Sequence, residues 1–397
     1  MLKNLFYICN ALDDVTRLER GIVTDSPAAS RKIFLICQAL RKSNIRAMVI
    51  SVGRGKQDRS GRYFQSKVQR VNGIPVIYLP FFHFPVLSEL LSLFSIVPLL
   101  WRLRSVKGAK AALFYNRMPA YFLGLVMVRV LRFRTVLDLE DGEINMGGWS
   151  LAKAKSQIFI RLFDSVCSGG ALLACSALEY TTRLRPTSCC YGTSETHTIL
   201  SNQNLIPVTV LLGGTVSVDT GAQLLVDAIT ILREEELPWA ENIQFEISGK
   251  GDCISQFEIL AKDVRKPNII MHGRTTDDEY RQMLARIQVG LALKPNSGAL
   301  ADTTFPSKVI EFASHSILVV TTDISDVKKV LGDDAIYLTK DNPQILIDKL
   351  RWIVENREDA NDLALRGERT VAAKCAPKIV GQMLDRFIFG TSKMEKK

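Results

Sequence analysis

Twice along this chain, short apolar runs rich in β-branched and aromatic residues alternate with helix-period segments, a rhythm that leaves room for little besides parallel α/β sheets. In the first half the runs cover 5–9, 47–51, 74–79, 112–115 and 135–139. A helix opening at Ser26-Pro27 and continuing to about Arg41 separates the first two. In the second half the runs cover 208–212, 244–248, 268–271, 289–294, 317–321 and 335–338, with a helix over 220–233 after the first of them. Two such series in 397 residues predict two Rossmann-like domains. Their expected limits are 1–200 and 206–376, joined by a linker near 194–205. A last helix over 378–389 lies beyond the second pattern, so 377–397 are set apart as a terminal segment. There is no short-period repeat and no low-complexity tract.

Charge divides the two halves. The formal net charge is +10, yet residues 1–205 carry 27 basic and 13 acidic side chains while 206–397 carry 24 and 28. The first half therefore suits an acidic partner and the second does not. A hydrophobic fraction of 47% excludes a disordered chain. Eight cysteines without a C-x-x-C spacing, and only four histidines, offer no readable metal site. Cys189 and Cys190 read as buried free thiols, and a reducing compartment is expected. The apolar run 5–9 is too short for a signal-peptide core and suits a first strand.

The most apolar stretch, 79–101, holds Phe81, Phe82, Phe84, Leu90, Leu91, Phe94 and Trp101, but Pro80, His83, Pro85, Glu89 and Pro98 interrupt it. It falls short of a membrane span. With Arg102, Arg104, Lys107 and Lys110 behind it, it suits either a membrane interface or a crossover helix packed on the sheet. A polar loop over 53–66, with Arg54, Lys56, Arg59 and Arg62, is expected at the surface.

Candidate chemistry sits where predicted strands end. Gly213 and Gly214 follow the run 208–212, and Gly249, Lys250 and Gly251 follow 244–248. Glycines at such turns let backbone amides approach an anion, and the lysine can offset phosphate charge; a plain packing turn is the alternative. After 289–294 comes a long polar segment with Asn296, which enters a helix near Pro306 and Ser307. The first amides of that helix are unpaired, Lys308 adds a cation, and Glu311 lies one turn farther on, placed to accept hydrogen bonds from ribose or to pair with Lys308. In the first half, Leu137-Asp138-Leu139-Glu140-Asp141-Gly142-Glu143 closes a strand with four acids and a glycine, at the strand end where α/β proteins hold ligands; a solvated acidic loop that caps the following helix is the alternative.

These residues resemble the GT-B fold glycosyltransferases, and among them the retaining enzymes of glycosyltransferase family 4. The likeness covers most of the chain and is strongest over 208–326, through Ser248-Gly249-Lys250-Gly251, His272-Gly273-Arg274 and Phe305-Pro306-Ser307-Lys308-Val309-Ile310-Glu311. It implies two Rossmann-like domains facing a central cleft, with the terminal helix returning to the first domain. Glu311 matches the second glutamate of the family's pair, which binds ribose; the first falls on Thr303, as in the Pro-Ser-Lys branch. Thr215 and Thr220 stand where the family commonly carries an arginine and a lysine.

The resemblance implies a nucleoside-diphosphate sugar donor held by Gly213, Gly214, Gly249, Lys250, Gly251, Arg274, Asn296, Pro306, Ser307, Lys308 and Glu311. Lys308 and Glu311 would act in transfer, with Asp141 orienting the acceptor, and no metal or other cofactor is expected. The basic first half and its apolar stretch point to a lipid-linked saccharide acceptor in cell-surface polysaccharide or glycolipid synthesis. The chain would then be a cytoplasmic protein held peripherally on the anionic inner face of the membrane. No nucleic-acid motif is present. The threonines keep a second reading open, a non-catalytic GT-B scaffold or partner subunit. A nucleotide-sugar 2-epimerase would call for more histidine and acidic residues than are found.

Overall fold

The computed structural model describes residues 1–53, 55–57, 62–82, 84–140, 151–195, 206–296 and 303–390. Arg54, Arg59, His83, Asp141, Gly142, Glu143, the segment 297–302 and most of the linker near 194–205 lie outside them. The chain divides into two compact units, Met1–Thr193 with Pro377–Lys397, and Ser194–Ala376.

The first unit is built on β1 (Lys3–Cys9), α1 (Pro27–Lys42), β2 (Ile45–Ser51), β3 (Lys67–Val71), β4 (Ile74–Tyr78), α2 (Pro85–Leu103), β5 (Ala109–Tyr115), α3 (Phe122–Val130), β6 (Arg134–Leu139), α4 (Leu151–Val166), β7 (Ala171–Leu173) and β8 (Thr187–Cys189). The eight strands form one sheet in the order β8-β7-β6-β5-β1-β2-β4-β3. All neighbours are parallel except the β3–β4 hairpin. Strand β1 is sealed on both faces, which is why 5–9 reads as an unbroken apolar run. Helix α1 starts where expected because Ser26 accepts a hydrogen bond from the Ala29 amide and Pro27 occupies the first turn.

Two expectations for this unit change. Strand β3 was not expected, although Asn72 and Gly73 take the positive φ values, 48° and 78°, that a two-residue hairpin needs. The apolar stretch becomes helix α2 from Pro85, and the loop over 53–66 contains short strands at Lys56–Gln57 and Tyr63–Phe64. Cys190 is buried, but Cys189 is only partly so, because β8 is an edge strand.

The second unit contains β9 (Val208–Thr215), α5 (Ala222–Glu234), β10 (Ile243–Lys250), β11 (Asn268–Gly273), α6 (Asp277–Leu284), β12 (Val289–Ala292), α7 (Lys308–Ala313), β13 (Leu318–Thr322), β14 (Ile336–Leu338) and α8 (Arg357–Cys375). Its six strands are all parallel in the order β11-β10-β9-β12-β13-β14. The core runs from Val210, Phe245 and Leu291 in the sheet to Leu225, Ile229 and Leu350 on the helices. Helix α5 begins at Ala222, two residues later than expected, because Gly221 caps it with φ +76°. A Cβ there would lie 2.6 Å from Leu293 Cβ, so this glycine serves close packing.

The last helix, α9 (Pro377–Phe389), belongs to the first unit and packs on α1. Val380, Leu384 and Ile388 complete the core around β1. Lys3 pairs with Asp385 at 2.5 Å, and Arg134 donates to the Phe387 and Gly390 carbonyls at 3.1 Å each, satisfying groups at the helix end. Gly381 allows the approach, since a Cβ would sit 2.1 Å from the Ala39 carbonyl oxygen. We therefore expect Gly381→Val to lift α9 from α1 and destabilise the protein by about 2–4 kcal/mol. A urea titration with limited proteolysis around residue 376 tests this; an unchanged midpoint would refute it.

Candidate functional site

Strands β9 and β10 stay paired to their tips, Gly213 opposite Ser248, Gly214 opposite Gly249 and Thr215 opposite Lys250. The expected glycine turn after residue 212 is thus an extension of the strand. Gly214 and Gly249 adopt φ +106° and +141°, and a Cβ on Gly249 would lie 1.7 Å from the Gly214 carbonyl oxygen. Gly251 is constrained in the same way by the Val216 carbonyl, 2.0 Å from a built Cβ. Backbone contact requires Gly249 and Gly251, the packing alternative, and the positive φ favours glycine at 214.

Beside them stands a cluster from two helices. Lys308, the first residue of α7, donates to Glu311 Oε2 at 2.5 Å and to the Tyr280 hydroxyl at 2.6 Å. The Tyr280 hydroxyl donates in turn to Glu311 Oε2 at 3.2 Å, and the Lys308 ammonium lies 4.3 Å from the Tyr280 ring centroid. Both charged side chains are largely shielded from water. The glycine backbones leave the adjacent space open: a Cβ at 213 would meet the Tyr280 hydroxyl at 3.2 Å, and one at 214 would meet Lys308 Cε at 3.6 Å. The site is a cation and a carboxylate held together against a backbone shelf free of side chains. Tyr280 was not foreseen. Its local signal was the capping box Thr276-x-x-Glu279 that starts α6 and fixes its phase, but not the face it meets.

The other expected residues, and Lys294 just past β12, make contacts of their own. Lys294 donates to the Thr304 hydroxyl at 2.6 Å, and its backbone amide to Thr322 Oγ1 at 3.1 Å. The Asn296 amide N–H donates to Asp341 at 2.7 Å, while its buried side-chain amide has no partner among the described residues. Pro306 and Ser307 precede α7, which is only six residues long, and Ser307 is already helical without capping through its side chain. Lys250 and Arg274 are exposed near the ends of β10 and β11. His272 is drawn into the sheet instead, 2.9 Å from Glu246, which is buried and also receives Arg286 at 2.6 Å. Thr220 turns its hydroxyl onto the Thr215 carbonyl at 2.7 Å and accepts from the Ser217 amide at 3.0 Å, closing a capping box.

A second polar cluster lies in the first unit. Lys32 pairs with Glu140, and Tyr7 donates to the buried Asp138. Asn116, with φ +55°, receives the Glu140 amide at 2.8 Å and donates its own amide to the Asp138 carbonyl at 2.7 Å. Burial alone would lower the Lys32 ammonium, but Glu140, with Asp138 behind it, holds it above the usual lysine range. Burial raises the Asp138 carboxyl against the opposing pull of Lys32 and the Tyr7 hydroxyl. Burial also pushes Cys9 and Cys190 up to about 12, so both stay thiols.

Two measurements follow from this geometry. In a double-mutant cycle, Lys308→Met and Glu311→Gln should couple by about 1–2 kcal/mol; additive losses would separate the pair. Lys32→Met should cost about 3–5 kcal/mol at pH 7, because it strands the buried Asp138 carboxylate and the partly buried Glu140. Since the folded value of Lys32 is raised, its contribution is complete below the ordinary lysine value, about 10.4, and is lost as pH rises through the folded one. Urea midpoints for both proteins should therefore differ by a constant gap from neutral pH to about pH 10 and converge above it. A gap that persists unchanged into alkali would contradict this.

Residues 207–356 match the family model described as Glycosyl transferases group 1. No curated protein matches the chain in sequence. Among solved structures, Anabaena Alr3699/HepE in complex with UDP and glucose superposes with a TM-score of 0.66 at 15% identity, over 98% of this chain and all of the other. Sucrose-phosphate synthase from Thermosynechococcus elongatus gives 0.67 at 11%, over 97% and 98%. A mutant of S. aureus TarM in complex with fondaparinux, alpha-GlcNAc-glycerol and UDP gives 0.65 at 10%, over 98% and 100%. At such identities the likeness carries the fold: this chain has the α/β architecture of two Rossmann-like domains shared by GT-B glycosyltransferases.

Proposed function

We propose that this protein transfers a sugar from a nucleoside-diphosphate sugar, with retention, to a lipid-linked saccharide acceptor in polysaccharide or glycolipid synthesis. The observation that carries the reading is the Lys308–Glu311–Tyr280 cluster against the open backbone of Gly213 and Gly214, inside the segment that matches Glycosyl transferases group 1. UDP or a UDP-sugar in the structures of HepE favours a nucleotide-sugar donor.

In this reading the diphosphate leaves first, and Lys308 offsets the charge that develops on it, a role we give to this side chain and not to a metal ion. Donor binding would have the diphosphate compete with Glu311 for the ammonium and release the carboxylate toward ribose hydroxyls. Tyr280, bonded to both, keeps the two side chains in place during that exchange. Glu140, fixed by Lys32, and the neighbouring Asp141 would orient the acceptor hydroxyl. We assign Lys250, Arg274 and Asn296 to the rim of the donor site. The protein would work at the cytoplasmic face of a membrane.

A specific observation supports a second reading. The Thr220 hydroxyl is engaged in its own helix cap, and Thr215 offers no charge, so neither brings a cation to a departing phosphate. That favours a nucleotide-binding scaffold without turnover. A panel of UDP- and GDP-sugars with lipid-linked acceptors separates the two: transfer of any sugar supports the enzyme, and nucleotide binding without transfer or donor hydrolysis supports the scaffold. Glu311→Ala should lower transfer by about a hundredfold or more while the protein still melts as a folded species. Unimpaired transfer would remove Glu311 from the site.

A further inference from the structure

Helix α2 is sided the wrong way round for a helix that serves only its own domain. Its inward face carries Ser88, Ser92, Ile96 and Leu100, all at most 2% exposed. The buried Ser88 and Ser92 hydroxyls have no hydrogen-bond partner among the described residues. The opposite face carries Leu87, Leu90, Phe94 and Trp101, exposed by 52%, 44%, 66% and 49%. Their spacing places them on one stripe, about 21 Å long at 1.5 Å per residue. Packing inside the unit has taken the small polar side chains and left the large apolar ones in water, where a row of this size marks an interaction surface.

The charge beside the stripe is of one sign. From residue 84 to 137 the chain has eight basic side chains and one acidic one, Glu89, which lies on the far side of α2 from the stripe. Arg102, Arg104 and Lys107 are exposed where the helix ends, and the Arg104 guanidinium stacks on Trp101 at 3.5 Å. Helix α3, packed against α2, adds exposed Arg129 and Arg132 with Val130 between them. Among the described residues no helix is long and apolar enough to cross a membrane, and Pro98 interrupts α2 itself.

We propose that the outward face of α2 is a docking surface for an anionic bilayer, on which the helix lies with Leu87, Leu90, Phe94 and Trp101 among the acyl chains and its basic end at the headgroups. The inference rests on the reading of the acceptor as lipid-linked and names the face that meets its membrane. An indole at the boundary between apolar and basic side chains is the arrangement an interface favours. Basic residues near such a surface contribute about 1 kcal/mol each, and a continuous negative surface uses them all at once. The basic side chains at the helix end complement a surface of uniformly negative charge, which an anionic bilayer presents.

Flotation of the intact protein with vesicles of mixed phosphatidylcholine and phosphatidylglycerol tests the proposal. The protein should float with these vesicles and not with phosphatidylcholine alone. Two triple variants, Leu90→Gln with Phe94→Gln and Trp101→Gln, and Arg102→Gln with Arg104→Gln and Lys107→Gln, should each lower partitioning by about tenfold or more. Both should keep the wild-type unfolding midpoint and nucleotide binding. No flotation, or flotation unaffected by the apolar variant, overturns the proposal. So does a concentration-dependent mass in solution that Phe94→Gln abolishes, which would assign the face to a second copy. Flotation without sugar transfer would leave this surface standing and remove only the glycosyltransferase reading.

Discussion

The contact on which the second unit's site depends is the pairing of β9 and β10 beyond the point where side chains fit. At Gly214 and Gly249 the two backbones approach so closely that a single methyl group would overlap a carbonyl oxygen. This carries the sheet three residues past its apolar core and sets a ledge of bare backbone at the strand ends. Tyr280 and Lys308 lie against that ledge, the Tyr280 hydroxyl where a Cβ on Gly213 would crowd it at 3.2 Å. The ion pair is thus a consequence of strand geometry: α6 and α7 meet above a surface the sequence has kept free of Cβ atoms.

The polar clusters of the two units solve opposite electrostatic problems. In the first, Lys32 sits deep beside two carboxylates and is held protonated by them, so one cation offsets part of the charge of the buried Asp138 and the partly buried Glu140. In the second, one cation and one carboxylate already balance, and on the proposed reaction an incoming diphosphate would have to open a neutral pair. The surplus positive charge of the chain is in neither place. Much of it lies in the stretch that contains α2 and α3, where only one acid occurs among eight bases.

What the sequence made legible, and what it did not, follows from the distance over which each signal acts. The alternation of runs and helices, and the cap at Ser26-Pro27, are local, and the strands they announce appear in both units. Gly213 and Gly214 were noticed, but the side chains beside them, Tyr280 and Lys308, lie far along the chain, as does Gly249, whose missing Cβ leaves room for the Gly214 carbonyl, and a turn was the nearer explanation. Tyr280 joins Lys308 across 28 residues of chain, and no periodicity reports which helix faces will meet. The hairpin at Asn72-Gly73 was legible and went unread, because the polar strand before it looks like loop. Helix α2 shows the limit of hydropathy most clearly: its pattern announced an apolar helix, while the packing put two serines inside and the aromatic side chains out.

Thr220 shows how a departure from a family pattern is absorbed by local structure. A lysine at this position would have to point away from the strand end to carry its charge to a phosphate. The threonine folds back, donating to the Thr215 carbonyl and closing the turn that leads into Gly221 and α5. The hydroxyl therefore makes an internal bond at a position where the resemblance places a cation. On the proposed reaction, stabilisation of the leaving group then falls on Lys308, whose release from Glu311 becomes part of donor binding. A site built this way would spend part of its donor affinity on opening the pair, and would hold its carboxylate in reserve until a nucleotide arrives.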